Sequence, residues 1–307
     1  MMPEHLPVLE RDVVELFAPE AGQRFLDCTF GGGGHARCLL EAAQGVQVTA
    51  LDCDPDARAR AEEFGEEFGE CFRFCDLNFS NLDRAPGDGF DGILFDLGVS
   101  SFQLDVAERG FSFKQSGCVD MRLDPRVGEA AASFLEKAPR DRLEEAVRDF
   151  GEEQHWQEVV KAIVEARGTG ALQETTQLAA LVAQAVGPQF RKAHPTHPAT
   201  KTFQGIRIAV NGEIARLEEA LPKAMEKLAP GGVLIVISFH SLEDRLVKRF
   251  FRQQAGQAEH RGDATPKQFR KCVAELLVKR AVRPTVEEVI INSRSRSARL
   301  RAIRKLG

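Results

Sequence analysis

Three apolar runs in the first hundred residues each carry a carboxylate at or near their end: "RFLDC" (24–28), "VQVTALD" (46–52) and "GILFDLG" (92–98). Helical periods separate them, at 35–43 and in "DPDARARAEEF" (54–64), where Asp54 is placed to cap and Pro55 to fill the first helical position. "CFRFC" (71–75) supplies a further strand, and the unbroken apolar run at 92–97 suits a strand covered on both faces. Strands alternating with helices dictate a doubly wound, mostly parallel α/β sheet, which takes up ligands outside the carboxyl ends of its strands.

The rhythm then changes. From about 105 to 199 only helical patterns follow one another, before a long helix around 206–228 and the strand "GGVLIVIS" (231–238) restore it. A helix at 241–254 and a strand-like tail at 297–305 complete the pattern, with a polar loop at 255–271 between them. The expected organisation is a sheet domain (1–104 and 200–307) interrupted by an all-helical insertion (105–199).

Four consecutive glycines, Gly31 to Gly34, follow the first strand and open a helix. Glycine in ordered backbone costs entropy, so a close approach to that backbone is expected. The spacing Gly31-x-Gly33-x-x-Ala36 satisfies a loose nucleotide fingerprint, and Asp52 at the end of the second strand is placed to accept from both hydroxyls of a ribose. Asp27 stands before the glycines, where it repels a pyrophosphate and welcomes a cationic amine. A third strand-end carboxylate, Asp96, follows, and no second dinucleotide half is apparent. S-adenosylmethionine meets these demands: a ribose for Asp52, an amino group for Asp27 and a sulfonium near Asp96.

Charge points to the partner. From Ser241 onward 17 Lys and Arg face 7 Asp and Glu, so a basic last quarter follows a body of net −15. That asymmetry favours a polyanion. The seven cysteines form no C-x-x-C, which disfavours zinc and fits reduced thiols in a cytoplasm. No run is long enough to cross a bilayer, and the N-terminus lacks a secretory pattern, so no membrane association is expected.

"DCTFGGGGHA", "ALDCDP", "DGILFDLGVSSFQLDVAERGFSF", "HPATKTFQGIRIAVNGE", "LAPGGVLIVISFHSLEDRLVKRFF" and "NSRSRSARLR" together resemble the ribosomal small-subunit RNA cytosine-N4 methyltransferases, the RsmH/MraW family, in one order over nearly the whole chain. The resemblance implies a Rossmann-like methyltransferase sheet with an inserted helical substrate-recognition domain. It implies S-adenosyl-L-methionine as donor and a decoding-site cytosine of 16S ribosomal RNA as acceptor. Carried over position by position, the family's cofactor residues are Gly33, Gly34, His35, Asp52, Phe79, Asp96 and Gln103. Gly32 departs from relatives that often carry a larger residue there.

Cytosine N4 is a poor nucleophile, because its lone pair is delocalised into the ring. Acceptors for its N–H groups are therefore needed, and the Asp96 carboxylate with the Leu97 carbonyl can supply them. Many amino-methyltransferases use an Asp/Asn-Pro-Pro-aromatic turn here. Asp96-Leu97-Gly98-Val99 has no proline pair, so stacking on the base falls to a residue such as Phe102. His240, just after the fifth strand, stands between a structural role and a base-binding or proton-accepting one, while Glu243 and Asp244 read as first-turn helix acids. "HPTHP" (194–198) reads as a substrate-side loop leading into Lys201 and Gln204 rather than a metal site. Arg294 and Arg296 are candidates for the RNA backbone. No metal and no DNA partner is expected. The partner is 16S ribosomal RNA in the small ribosomal subunit or its assembly intermediate, and a homodimer is left open. The other readings are a DNA cytosine or adenine amino-methyltransferase, a non-catalytic cofactor-binding assembly factor and, last, a dinucleotide-dependent oxidoreductase.

Overall fold

The computed structural model describes residues 7–187, 197–260 and 262–307. The chain divides into two compact units, Met1–Gly98 with Ile214–Gly307, and Val99–Glu213.

The first unit is built on seven strands: β1 (Arg24–Asp27), β2 (Gln47–Asp52), β3 (Phe72–Asp76), β4 (Phe90–Asp96), β5 (Leu228–Ser238), β6 (Ala274–Leu276) and β7 (Arg299–Lys305). They lie in the order β3-β2-β1-β4-β5-β7-β6. The first five run parallel, while β7 is antiparallel to both β5 and β6. This is the Rossmann-like α/β sheet, with strand order reversing between β1 and β4. Side chains of β4 alternate between two apolar layers. Ile93 and Phe95 pack with Leu217, Leu221 and Phe251, whereas Leu94 packs with Phe25, Leu39 and Phe64. Burial on both faces explains the unbroken apolar run.

Helices α1 (Glu10–Phe17), α2 (Gly34–Ala42) and α3 (Pro55–Phe68) belong to this unit. Asp54 caps α3, accepting from the Asp56 N–H at 3.1 Å, with Pro55 at its first position as expected. The three-residue β6 escaped sequence analysis because it is too short to show a period.

The second unit holds α4 (Ser101–Asp105), α5 (Ala131–Lys137), α6 (Arg140–Glu144) running into a π-turn (Glu145–Phe150), α7 (Trp156–Glu165), α8 (Thr175–Val186) and α9 (Ala199–Asn211) around its own core. The sequence suggests one helix over 206–228; two are present, α9 and α10 (Glu213–Lys227). The break is Gly212, whose φ of 60° stops α9 in the left-handed conformation that side chains disfavour. Phe203 and Ile206 of α9 are buried in the helical core, so this unit extends to Glu213, beyond the expected 199, and it begins at Val99. Trp156 packs against the same core, with the Arg148 guanidinium 5.2 Å from its ring centroid. Among the described residues no helix is long and apolar enough to cross a membrane.

Candidate active site

The carboxyl ends of β1, β2 and β4 meet at the reversal of strand order. Register places Asp27 of β1 beside Ala50 of β2 and Leu94 of β4. Asp52 and Asp96 therefore each stand two residues further out, on either side of the turn that follows β1. Asp76, the end of β3, pairs in register with Asp52 and is a fourth strand-end carboxylate that sequence analysis passed over.

Thr29, also unremarked in the sequence, ties this edge together. Its N–H donates to Asp27 Oδ1 at 3.0 Å, and its hydroxyl oxygen accepts from the Asp96 N–H at 2.7 Å. Asp52 holds the glycine turn: Oδ2 accepts from the Gly31 N–H and Oδ1 from the Asp54 N–H, both at 2.8 Å. A carboxylate has about four acceptor sites, so capacity for hydroxyl donors remains. Arg60 Nε donates to the Gly31 carbonyl at 2.9 Å from the other side.

The glycines are explained first by the protein itself. Gly33 caps α2 with φ 78°, and a Cβ there would lie 2.5 Å from the Phe64 ring. A Cβ on Gly34 would lie 3.2 Å from Pro7. The close approach inferred from the sequence is thus met by Phe64 and Pro7, both distant in the chain.

His35, in the first turn of α2, is 6% exposed, and its Nε2 lies 3.6 Å from Asp96 Oδ2, an ion-pair distance. Both imidazole nitrogens, Asp27 Oδ2 and Asp96 Oδ1 are buried without a hydrogen-bond partner. Native interiors rarely leave such atoms unsatisfied, and a cluster of four points to a ligand. Burial pushes Asp27 up to about 6, against relief from His35 and the Thr29 N–H. Asp52 is also pushed to about 6 by burial, despite its two backbone donors. For His35, burial opposes the imidazolium, but Asp96, Asp27 and Glu10 together raise it above the usual value. This edge gathers the carboxylates of Asp27, Asp52 and Asp96. The residues fit S-adenosylmethionine.

The stability consequence has a definite sign. Unfolded, Asp27 titrates near 3.8; folded, near 6. Its contribution to stability is fully present below about pH 4 and is lost as pH rises through 6. Asp27→Asn, neutral throughout, is expected to raise the melting temperature of the ligand-free protein at pH 7.5, by up to roughly 3 kcal/mol in stability. The gain should vanish below about pH 4. Melting curves across that range check it, and a variant no more stable at pH 7.5 overturns the assignment of Asp27 as a charge held at a cost.

Phe79 follows β3 and meets Phe95 edge-to-face at 5.8 Å between ring centroids. Leu97 is buried, its N–H donating to the Ile237 carbonyl at 3.0 Å, which continues the β4–β5 ladder past Asp96. His240 caps α11 (Ser241–Gln254): its Nδ1 accepts from the Glu243 N–H at 3.4 Å. Glu243 returns the bond, Oε2 accepting from the His240 N–H at 3.3 Å as well as from the Phe239 N–H at 2.9 Å, and its Oε1 lies 3.1 Å from His240 Nε2. The reciprocal cap is a structural role for His240, while its Nε2 is buried without a hydrogen-bond partner. Asp244 accepts from Arg299 at 2.9 Å and Arg301 at 2.7 Å, so those two arginines share one face of β7 and bind the protein's own carboxylate. Arg294 and Arg296 lie exposed in the short turn Ser293–Ser297 before β7.

Three candidates belong to the helical unit. Gln103 closes a capping box on α4, its Oε1 accepting from the Ser100 N–H at 2.9 Å, and Phe102 is half-buried beside it. Lys201 on α9 donates to the Glu152 carbonyl at 3.0 Å. Residues 194–196 of "HPTHP" lie outside the described residues; His197 Nδ1 accepts from the Ala199 N–H at 3.2 Å.

Comparison with known proteins gives the family. The model of the MraW methylase family matches residues 2–306. A protein of Thermomicrobium roseum named ribosomal RNA small subunit methyltransferase H is 45% identical over 98% of this chain and 94% of its own length. Proteins of the same name from Pelobacter propionicus (41% identical, 99% of both chains) and Nitratidesulfovibrio vulgaris (42%, 98% of this chain and 95% of the relative) align likewise. With a match from end to end and relatives at this identity, the chain whose strand edge gathers Asp27, His35, Asp52 and Asp96 belongs to the MraW methylase family.

Proposed function

We propose that the protein is an S-adenosyl-L-methionine-dependent methyltransferase acting on ribosomal RNA, and that its target is the exocyclic N4 of a decoding-site cytosine in 16S ribosomal RNA. The observation that carries the reading is the group of four buried, unpartnered polar atoms on Asp27, His35 and Asp96 at the reversal of strand order. The names of the relatives support ribosomal RNA as substrate. The motif resemblance supports cytosine N4, and the basic last quarter supports a polyanionic partner. When bound, the cofactor supplies a methyl group on a positively charged sulfur.

The chain's own residues do the rest. Asp27 offers its free Oδ2 to the amine of the cofactor, and Asp52 offers its remaining lone pairs to the ribose. Asp96, held by Thr29 and followed by Leu97, presents a carboxylate and a backbone carbonyl as acceptors for the two N–H groups of a cytosine unstacked into the crevice. Accepting both restores the lone pair to nitrogen, and fixing the amine in line provides much of the acceleration. His240 reaches this chemistry as a positioning residue, by fixing the turn after β5. The resemblance also nominates Phe79 and Gln103 for the cofactor, and Phe102 and Lys201 for RNA. Mass spectrometry of small-subunit RNA from cells lacking the protein tests the reading. One cytosine should lose one methyl group, and an unchanged methylation pattern rejects it.

Arg294 and Arg296 are proposed to hold phosphates of the RNA backbone. The double replacement Arg294→Ala with Arg296→Ala should weaken RNA binding and flatten its dependence on log salt by about 0.7–0.9 for each phosphate no longer neutralised, with cofactor affinity unmoved. Titrations at several salt concentrations decide, and an unaltered slope removes the pair from the RNA surface.

A further inference from the structure

The proton on His35 has no part in the chemistry described above. The imidazole lies with its Nε2 3.6 Å from Oδ2 of Asp96 on β4, and the carboxylates of Asp27 on β1 and Glu10 on α1 act on it electrostatically. Asp52 of β2 adds its field at Asp27. Neither ring nitrogen has a hydrogen-bond partner, and the side chain is 6% exposed. Burial alone favours a neutral ring, yet the surrounding carboxylates reverse that preference. A ring that takes a proton there places a cation beside Asp96, the carboxylate assigned to the charged sulfur. Resting on that reading, S-adenosylmethionine and the demethylated product share adenine, ribose and amino acid. They differ by one methyl and one positive charge on sulfur.

We infer that His35 is a specificity-determining residue that couples the choice between charged cofactor and neutral spent product to a proton. The imidazolium keeps its proton when the neutral thioether occupies the site. When the charged sulfur takes the place beside Asp96, two cations would share one carboxylate, and the Nε2 proton leaves to solvent. The spent product is then favoured at low pH and the fresh cofactor at high pH. Asp27 and Asp52 face the amine and ribose that both molecules share, and the part of the Asp27 response that follows the charge on His35 disappears with His35→Gln as well.

Calorimetry of the full-length protein at pH 7, in two buffers of different ionisation enthalpy, counts the protons. S-adenosylmethionine should release up to about one proton more than S-adenosylhomocysteine. The ratio of their affinities should shift toward the former by up to about tenfold per pH unit. In His35→Gln, which cannot carry the charge, both differences should disappear while both molecules still bind. Asp96→Asn, which removes the carboxylate that holds the proton, should shrink the difference as well and serves if the histidine variant does not fold. Equal proton counts in the wild-type protein, or a difference that persists in His35→Gln, overturns the inference. Failure of the wild-type protein to bind either molecule overturns instead the cofactor reading beneath it.

Discussion

Asp96→Asn is expected to lower turnover at saturating cofactor and RNA by at least about tenfold, a rise of about 1.4 kcal/mol or more in the barrier. The substitution keeps the shape of the side chain and leaves the backbone N–H bonded to Thr29. What it removes is the charge. An amide oxygen accepts more weakly than a carboxylate, so less of the amine's lone pair is freed, and the carboxylate 3.6 Å from His35 Nε2 is lost with it. Single-turnover kinetics with both ligands saturating separates the roles. If only cofactor affinity falls and turnover is normal, Asp96 is a binding residue and the amine acceptor lies elsewhere.

Asp52→Ala should weaken S-adenosylmethionine binding about ten- to a hundredfold, since a hydrogen bond to a charged group contributes roughly 1.5–3 kcal/mol. Part of the loss comes through the turn, because the same carboxylate receives the Gly31 and Asp54 N–H groups. Asp52→Asn separates the two contributions: its amide oxygen can still take one backbone donor, so it should fall between wild type and alanine. Calorimetric affinities measured alongside melting curves check this, and an alanine variant that binds as tightly as wild type removes Asp52 from the site.

The carboxyl edge of the sheet was legible because it is written locally. A carboxylate at the end of an apolar run declares where its side chain emerges, and that suffices for Asp27, Asp52 and Asp96. Long-range packing left no such trace. Nothing near Gly33 and Gly34 announces Phe64 or Pro7, whose side chains leave no free room for a Cβ at those two positions. The single helix expected over 206–228 runs across Gly212, because apolar spacing continues from Ile206 and Ile208 to Leu217. Only the left-handed backbone of Gly212 shows that two helices, assigned to different units, meet there. Histidine is an uncommon helix cap, and the reciprocal bonds of His240 with Glu243 needed coordinates to be seen. Thr29 lay beside the quoted glycines and had a readable signal: a hydroxyl two residues after a strand-end carboxylate is placed to close a turn.

The order of the sheet bears on how the chain comes into being. Synthesis delivers β5 about sixty residues before β7, yet β7 is an interior strand, seated between β5 and β6. Throughout that interval one flank of β5 is an unpaired apolar edge, the kind of surface on which nascent chains stick to one another. A message truncated just before Arg299 would encode every residue of the carboxyl edge and still lack the strand that closes the sheet beside it.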